Sequence, residues 1–291
     1  MWLNVVWYVL FVIIIAGYLI MDGFDLGVGI LHPFVARDDS ERRISLNSIG
    51  PVWDGNEVWL VLGGGALFAA FPMVYASLFS GFYAAMMLVL LVLILRTVAI
   101  EFRSKRPSAR WRSLWDWVFF GSSLGIALLL GVAFGNIMEG VLLDGQGNIG
   151  GTLFDLLNPY ALLVGVTTVF MLATHGAMYL SMKTDGELLA RDKRWIPRLM
   201  GVFFVLNTIL VIWTVAAHEL IADRYVQQPW LAIIPAAALA AVIVAWFMVK
   251  RERYFIAFLL SSAMIAGLLF SAAVGLFPNL LVSSIDPAYN L

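Results

Sequence analysis

The chain has 291 residues, 62% of them hydrophobic and 13% charged, with 18 Lys and Arg against 19 Asp and Glu and a formal net charge of −1. That balance excludes an ordinary soluble domain and points to an integral membrane protein, with no nucleic acid expected as a partner. With no cysteine there are no disulfides, thiolate metal sites or iron–sulfur clusters, and only three histidines could serve as imidazole ligands.

The first apolar window, 5–31, has no basic residue before it and no small-residue cleavage site, so it is expected to be a membrane span and not a cleaved signal peptide. Further windows follow at 52–71, 75–100, 117–142, 159–182, 199–221, 230–249 and 254–277. Each approaches or exceeds the roughly 20 residues a helix needs to cross the hydrocarbon. They are too long and too uniformly apolar for barrel strands. The expected fold is therefore an all-α integral membrane protein of about eight transmembrane helices, forming a single polytopic domain over 1–291. Helices 1–4 are expected within 1–142, an outer loop at 143–158, helices 5–8 within 159–277 and an outer tail at 278–291, with the helices in two four-helix bundles.

The loops after helices 1, 3, 5 and 7 hold sixteen of the 18 Lys and Arg residues, whereas the loops on the other side hold only Arg224. The positive-inside rule then places the odd-numbered loops in the cytoplasm and the N-terminus outside. Trp2, Trp7, Tyr8, Trp111, Trp115, Trp117 and Trp230 fit interfacial belts at the span ends. Gly131 with Gly135, and Gly63 to Gly65, are expected to let helices approach closely.

Charged side chains within spans are costly and commonly functional. Asp22 and Asp25 lie about 25 and 30 Å along helix 1 from Val5 at 1.5 Å per residue, near its cytoplasmic end. Asp54 and Glu57 occupy the first turns of helix 2 on the same side, with Trp53 and Asn56 between and beside them. Each acidic pair is spaced i, i+3 and so shares a helix face. Arg96, Glu101 and Lys105 fall at the matching end of helix 3. Stability alone could place acids in a first turn after Pro51, or pair Asp25 with Arg96. The gathering of four acids on one side points instead to a cytoplasmic entrance for protons or cations. On the outer side, Asn136, Glu139, Glu219 and Asp223 are expected to be solvated helix ends. His32, His175 and His218 are read as satisfied or interfacial, because His175 and His218 do not lie at the matching depth a bis-histidine haem would want, and His175 is the one to test as a ligand.

The segments "MDGFDLGVGIL" (21–31), "ERRISLNSIGPVWDGNEVWLVLGGGALFAAFPMVYA" (41–76), "SGFYAAMMLVLLVLILRTVAIEFRSK" (80–105), "WRSLWDW" (111–117) and "GVAFGN" (131–136) closely resemble subunit II of the cytochrome bd-type quinol oxidases. The resemblance implies a terminal respiratory oxidase of a bacterial or archaeal cytoplasmic membrane, oxidising quinol and reducing oxygen to water. It implies that haems b and d, with their axial ligands, belong to subunit I, and that this chain is the non-haem partner with no metal of its own. It carries the family's proton-pathway aspartates onto Asp25 and Asp54, its polar positions at the end of helix 3 onto Arg96, Glu101 and Lys105, and supporting roles onto Trp53 and Asn56. Asp22 and Glu57 join them from the reading of the residues. Subunit I, small single-helix accessory subunits, quinol, oxygen and lipid are the expected partners, and the resemblance leaves room for a structural quinone or lipid. The family's usual ninth helix is absent from these windows. Two rival readings are a proton-coupled secondary transporter and a purely structural partner subunit.

Overall fold

The computed structural model describes residues 2–291, and the described residues are almost entirely helical. In chain order they form α1 (Trp2–Val35), α2 (Asp39–Ile49), α3 (Trp53–Ala70), α4 (Pro72–Gly81), α5 (Tyr83–Phe102), α6 (Ala109–Glu139), α7 (Pro159–Lys183), α8 (Gly186–Ala217), α9 (Glu219–Gln227), α10 (Ile233–Lys250) and α11 (Tyr254–Leu276). Local chemistry sets several starts. Asp38 caps α2 by accepting from the Glu41 N–H, and Asn158 caps α7 by accepting from Ala161 ahead of Pro159 at the first helical position.

Seven described helices are long and apolar enough to cross a membrane, which makes this a multi-pass membrane protein. The second window is the exception. It forms α3, but Asp54, Asn56 and Glu57 crowd its first turns, so its 18 residues are of mixed polarity. The third window, expected as one helix from 75 to 100, is divided at Phe82, where α4 ends and α5 begins. The break seats Phe82 in the core and brings Gly81 against Ile149 of the long connection before α7. The sixth window also differs. The helix starts at Gly186 instead of 199, runs through Pro197 and ends at Ala217, and a separate α9 follows.

The centre of the molecule is the crossing of α1, α6, α7 and α11, with α3 on α1, α5 on α6, α8 on α7 and α10 on α11. Gly27 of α1 meets Gly176 of α7 backbone to backbone. A Cβ on Gly27 would lie 2.0 Å from the Leu172 carbonyl, and one on Gly176 would lie 2.4 Å from the Gly27 carbonyl carbon. Gly131 and Gly135 play the same part between α6 and α7, where added Cβ atoms would sit 2.7 Å from the Gly165 Cα and 2.6 Å from the Ala161 Cα. Of the glycine run in α3, Gly63 packs on Ile15, whereas Gly64 and Gly65 face open space. Leu91, Ile94, Ile212 and Ile243 are exposed on the outside of the bundle, as expected of a chain whose solvent there is lipid.

The Arg-rich connections gather at one end of the bundle, called here the basic end. At the opposite end the connection before α7 is ordered by its contacts with the tail. Val141 N–H donates to the Val282 carbonyl at 2.9 Å, Ser284 N–H to the Val141 carbonyl at 2.8 Å, and Ser283 Oγ to the Leu143 carbonyl at 2.7 Å. Asp144 closes the loop tip by accepting from the backbone of Asn148, then from its side chain and from Gln146. These bonds hold its carboxyl below the usual carboxylate range.

Because helix backbones touch at Gly27 and Gly176, overpacking there should be severe, about 1–3 kcal/mol or more. Gly176→Val is expected to lower the yield and melting temperature of the purified protein in detergent, while Gly64→Val, on an open face, should leave both within error. Size-exclusion chromatography with a thermal ramp checks the difference.

Candidate functional site

Two polar layers cross the interior, ten residues apart on α1 and thus about 15 Å from each other along the helix axis. The inner layer centres on Arg96 of α5, which has no exposed surface. Its Nη1 donates to Asp22 Oδ2 at 2.8 Å and its Nη2 to Asp22 Oδ1 at 2.6 Å, a bidentate pair with Asp22 equally enclosed. Two parallel bonds of this kind are the geometry a guanidinium and a carboxylate favour. The sequence suggested Asp25 as the ion-pair partner of Arg96, and the structure corrects it to Asp22. The two acids are three residues apart, about 60° around the helix, so Asp22 reaches α5 while Asp25 turns toward α3.

Asp25 is fully buried. Its Oδ2 accepts from Asn56 Nδ2 at 2.8 Å, and the same amide donates to the Met21 carbonyl at 3.2 Å. Asp25 Oδ1 has no hydrogen-bond partner among the described residues, nor has the Tyr18 hydroxyl, a buried polar group that the sequence reading did not single out. Trp53 and Asn56 are both buried on the face of α3 that meets α1, and Glu57 is half-buried, within electrostatic reach of Arg96 and Asp22. Asp54 points the other way and is exposed on this chain. Glu101 and Lys105, at the basic end after Arg96, are exposed as well. Of the nine residues anticipated, Asp22, Asp25, Trp53, Asn56, Glu57 and Arg96 come together, and Asp54, Glu101 and Lys105 do not join them.

The second layer lies at the basic end and was missed as a unit. Its hub is Asp116 of α6, which accepts from Arg103 Nε at 2.5 Å, Arg42 Nη1 at 2.8 Å and His32 Nε2 at 3.0 Å. Arg103 extends to Asp39 at 2.9 Å, and Arg112 reaches the same carboxylate at 2.6 Å. His32 Nδ1 lies 3.3 Å from Ser45 Oγ, and Arg191 of α8 pairs with Glu41 and donates to the Val35 carbonyl. Helices α1, α2, α6 and α8 and the turn that follows α5 are thus tied by ion pairs and hydrogen bonds at this end. The signal was present in "WRSLWDW", where one acid sits among three tryptophans and a single arginine.

Of the other two histidines, His175 is occupied too. His175 is fully buried, with Nε2 3.0 Å from the Ile20 carbonyl and Nδ1 2.7 Å from Ser261 Oγ, and its ring stacks on Phe258 at 4.7 Å. Both nitrogens have partners, so the residue does not fit a haem ligand. His218 lies 3.3 Å from Glu139 and edge-on to Tyr160, but its Nε2 makes no hydrogen bond among the described residues. Asn136, expected as a solvated helix end, is instead buried, bonding the Val132 and Leu156 carbonyls and accepting from Asn158. Among the described residues no group of three or more metal-ligating side chains converges.

Fold and site together define a class: a polytopic helical membrane protein that encloses carboxylates and a guanidinium among its helices. The model for the family "Cytochrome bd terminal oxidase subunit II" matches residues 3–290. Cytochrome bd-I ubiquinol oxidase subunit 2 of Escherichia coli (strain K12) is 38% identical over 312 residues, covering 97% of this chain and 82% of that relative. Cytochrome bd ubiquinol oxidase subunit 2 of Bacillus subtilis (strain 168) is 36% identical over 294 residues, covering 99% of this chain and 85% of the relative. A chain in the structure of bd oxidase from Geobacillus thermodenitrificans shares the fold, with a TM-score of 0.81 over 100% of this chain and 88% of that one at 17% identity. The chain belongs to the cytochrome bd terminal oxidase subunit II family, and so is a subunit of a bd-type quinol oxidase.

Removing one partner of an enclosed ion pair strands the other, at about 3–5 kcal/mol. Arg96→Gln is therefore expected to destabilise the chain strongly, and Arg96→Gln combined with Asp22→Asn should recover much of the loss. Melting temperatures of the single and double variants in one detergent test this, and an unrecovered double variant would count against the pair.

Proposed function

We propose that, within a bd-type oxidase coupling quinol oxidation to the reduction of oxygen to water, this chain stabilises a haem-bearing subunit I and gives protons a way in from the basic end. On this reading the chain crosses a bacterial or archaeal cytoplasmic membrane eight times, α3 included, four times on either side of the 143–158 connection. The basic end faces the cytoplasm, in keeping with the location of sixteen of the 18 Lys and Arg residues. Haems b and d sit in subunit I. Single-helix accessory subunits complete the assembly.

The observation that carries the proton role is the state of Asp25. A carboxyl group enclosed by helices, with one oxygen held by Asn56 and the other without a partner, sits beside a guanidinium already matched in charge by Asp22. No cation is left to hold Asp25 ionised, so its charged and neutral forms can approach one another in energy, which is what a proton-passing group requires. Asn56 orients it, Trp53 closes the α1–α3 contact, and half-buried Glu57 lies toward the surface. Asp54, exposed on α3, stands where a partner subunit would cover it, because a carboxylate facing lipid is costly. Glu101 and Lys105 frame the approach from the cytoplasm.

The rate of oxygen reduction tests the role. Asp25→Asn keeps the shape and the Asn56 contact but cannot pass a proton, so the assembled oxidase is expected to consume oxygen about tenfold more slowly or worse, with its haem content intact. Asp54→Asn should slow it in the same sense. A double variant with normal turnover and normal haem would leave the chain a structural partner only.

A further inference from the structure

At the end opposite the Arg-rich connections, two cavities adjoin along α10 and α11 and share Phe270. The first, about 230 Å³, lies between the start of α1, α9 and the end of α11, and Arg224 and Gln228 stand among otherwise mainly apolar lining residues. The second, about 410 Å³, is an apolar trough lined by Ile233, Ile234, Ala237, Ala238, Ala263 and Gly267, whose small side chains leave room between the helices. Together they make one amphipathic recess with a polar head and an apolar body. It faces outward, where Val9 and Ile233 are exposed.

The polar head is selective in its chemistry. Arg224 is the one basic residue in the connections at this end. Its guanidinium rests over the Phe277 ring, 5.2 Å from the centroid, and its Nε is buried with no hydrogen-bond partner among the described residues. The Tyr8 hydroxyl proton is already committed to the Ala273 carbonyl at 2.6 Å. What remains to meet a ligand is the guanidinium, with its donors and fixed positive charge, and the Gln228 amide, which can turn its N–H donors toward the same group. A cationic head whose fixed charge lies on a guanidinium matches an anionic oxygen far better than a neutral carbonyl.

We propose that this recess binds one anionic phospholipid of the leaflet at that end, its phosphate against Arg224 and Gln228 and one acyl chain along the α10–α11 trough. The site is remote from Asp25 and does not depend on the proton-entry reading. Its occupant would brace α1, α9 and α11, which meet there.

Native mass spectrometry of the delipidated oxidase complex, titrated with phosphatidylglycerol, phosphatidylcholine or ubiquinone, tests the assignment. Wild type is expected to take up one phosphatidylglycerol about tenfold more tightly than phosphatidylcholine, the scale of one charge-assisted contact. Arg224→Gln should abolish that preference, and Ala237→Phe, which fills the trough and leaves the guanidinium in place, should remove the bound lipid. Turnover in detergent should stay unchanged in both variants, since neither touches the polar layers. Equal affinity for the two phospholipids in wild type, retention of the lipid by both variants, or its displacement by ubiquinone would each overturn the proposal.

Discussion

A guanidinium enclosed by membrane helices needs its counter-charge inside the same enclosure, and Arg96 finds it in Asp22 with two parallel hydrogen bonds. The pair joins α1 to α5, helices that are otherwise not closely packed. Much else is arranged around it. With Arg96 neutralised, Asp25 is left without a cation one helical turn along α1, and α3 must approach closely enough for Asn56 to hold it. The close approach of α1 and α7 at Gly27 and Gly176 completes the enclosure from behind. The arrangement stabilises only as a whole, because losing either charge strands the other in a place where ionisation is costly.

The ring of charge at the basic end has a different role. Asp116 collects Arg103, Arg42 and His32 into a network about 15 Å along α1 from Asp22, where α2 and the connection before α6 close the basic end. Such a network fixes the positions of α1, α5 and α6 relative to one another, and so fixes the distance between Arg96 and Asp22. Helix α1 continues to Val35, beyond the 5–31 window, so Asp22 and Asp25 lie well inside the helix and not at its end.

What the sequence disclosed was mostly composition and periodicity. Its apolar windows located nearly every span, since a run of about 20 apolar residues has one stable form in lipid. It missed the break at Phe82 and the early start of α8, because both depend on what those residues pack against and neither changes the hydropathy. At the site, residue type and spacing singled out Asp22, Asp25, Asn56 and Arg96, which the fold brings together. They could not decide which acid pairs with Arg96, as that choice turns on rotation about α1 relative to α5. Nor could spacing show that Asp54, adjacent to buried Trp53, faces outward. The Asp116 network escaped because its members come from four separate segments whose basic residues read simply as a topology signal. The family resemblance, resting on the same motifs, anticipated the membership that the comparisons later established.

The account stands or falls on whether Asp25, and not its neighbour Asp22, carries an exchangeable proton. Redox-triggered infrared difference spectra of the intact oxidase, in ordinary and heavy water, report protonation changes of enclosed carboxyl groups directly. A carboxylic C=O band that shifts on deuteration, disappears in Asp25→Asn and persists in Asp54→Asn is the predicted result. A spectrum in which Asp25→Asn leaves every carboxyl band unchanged would contradict it.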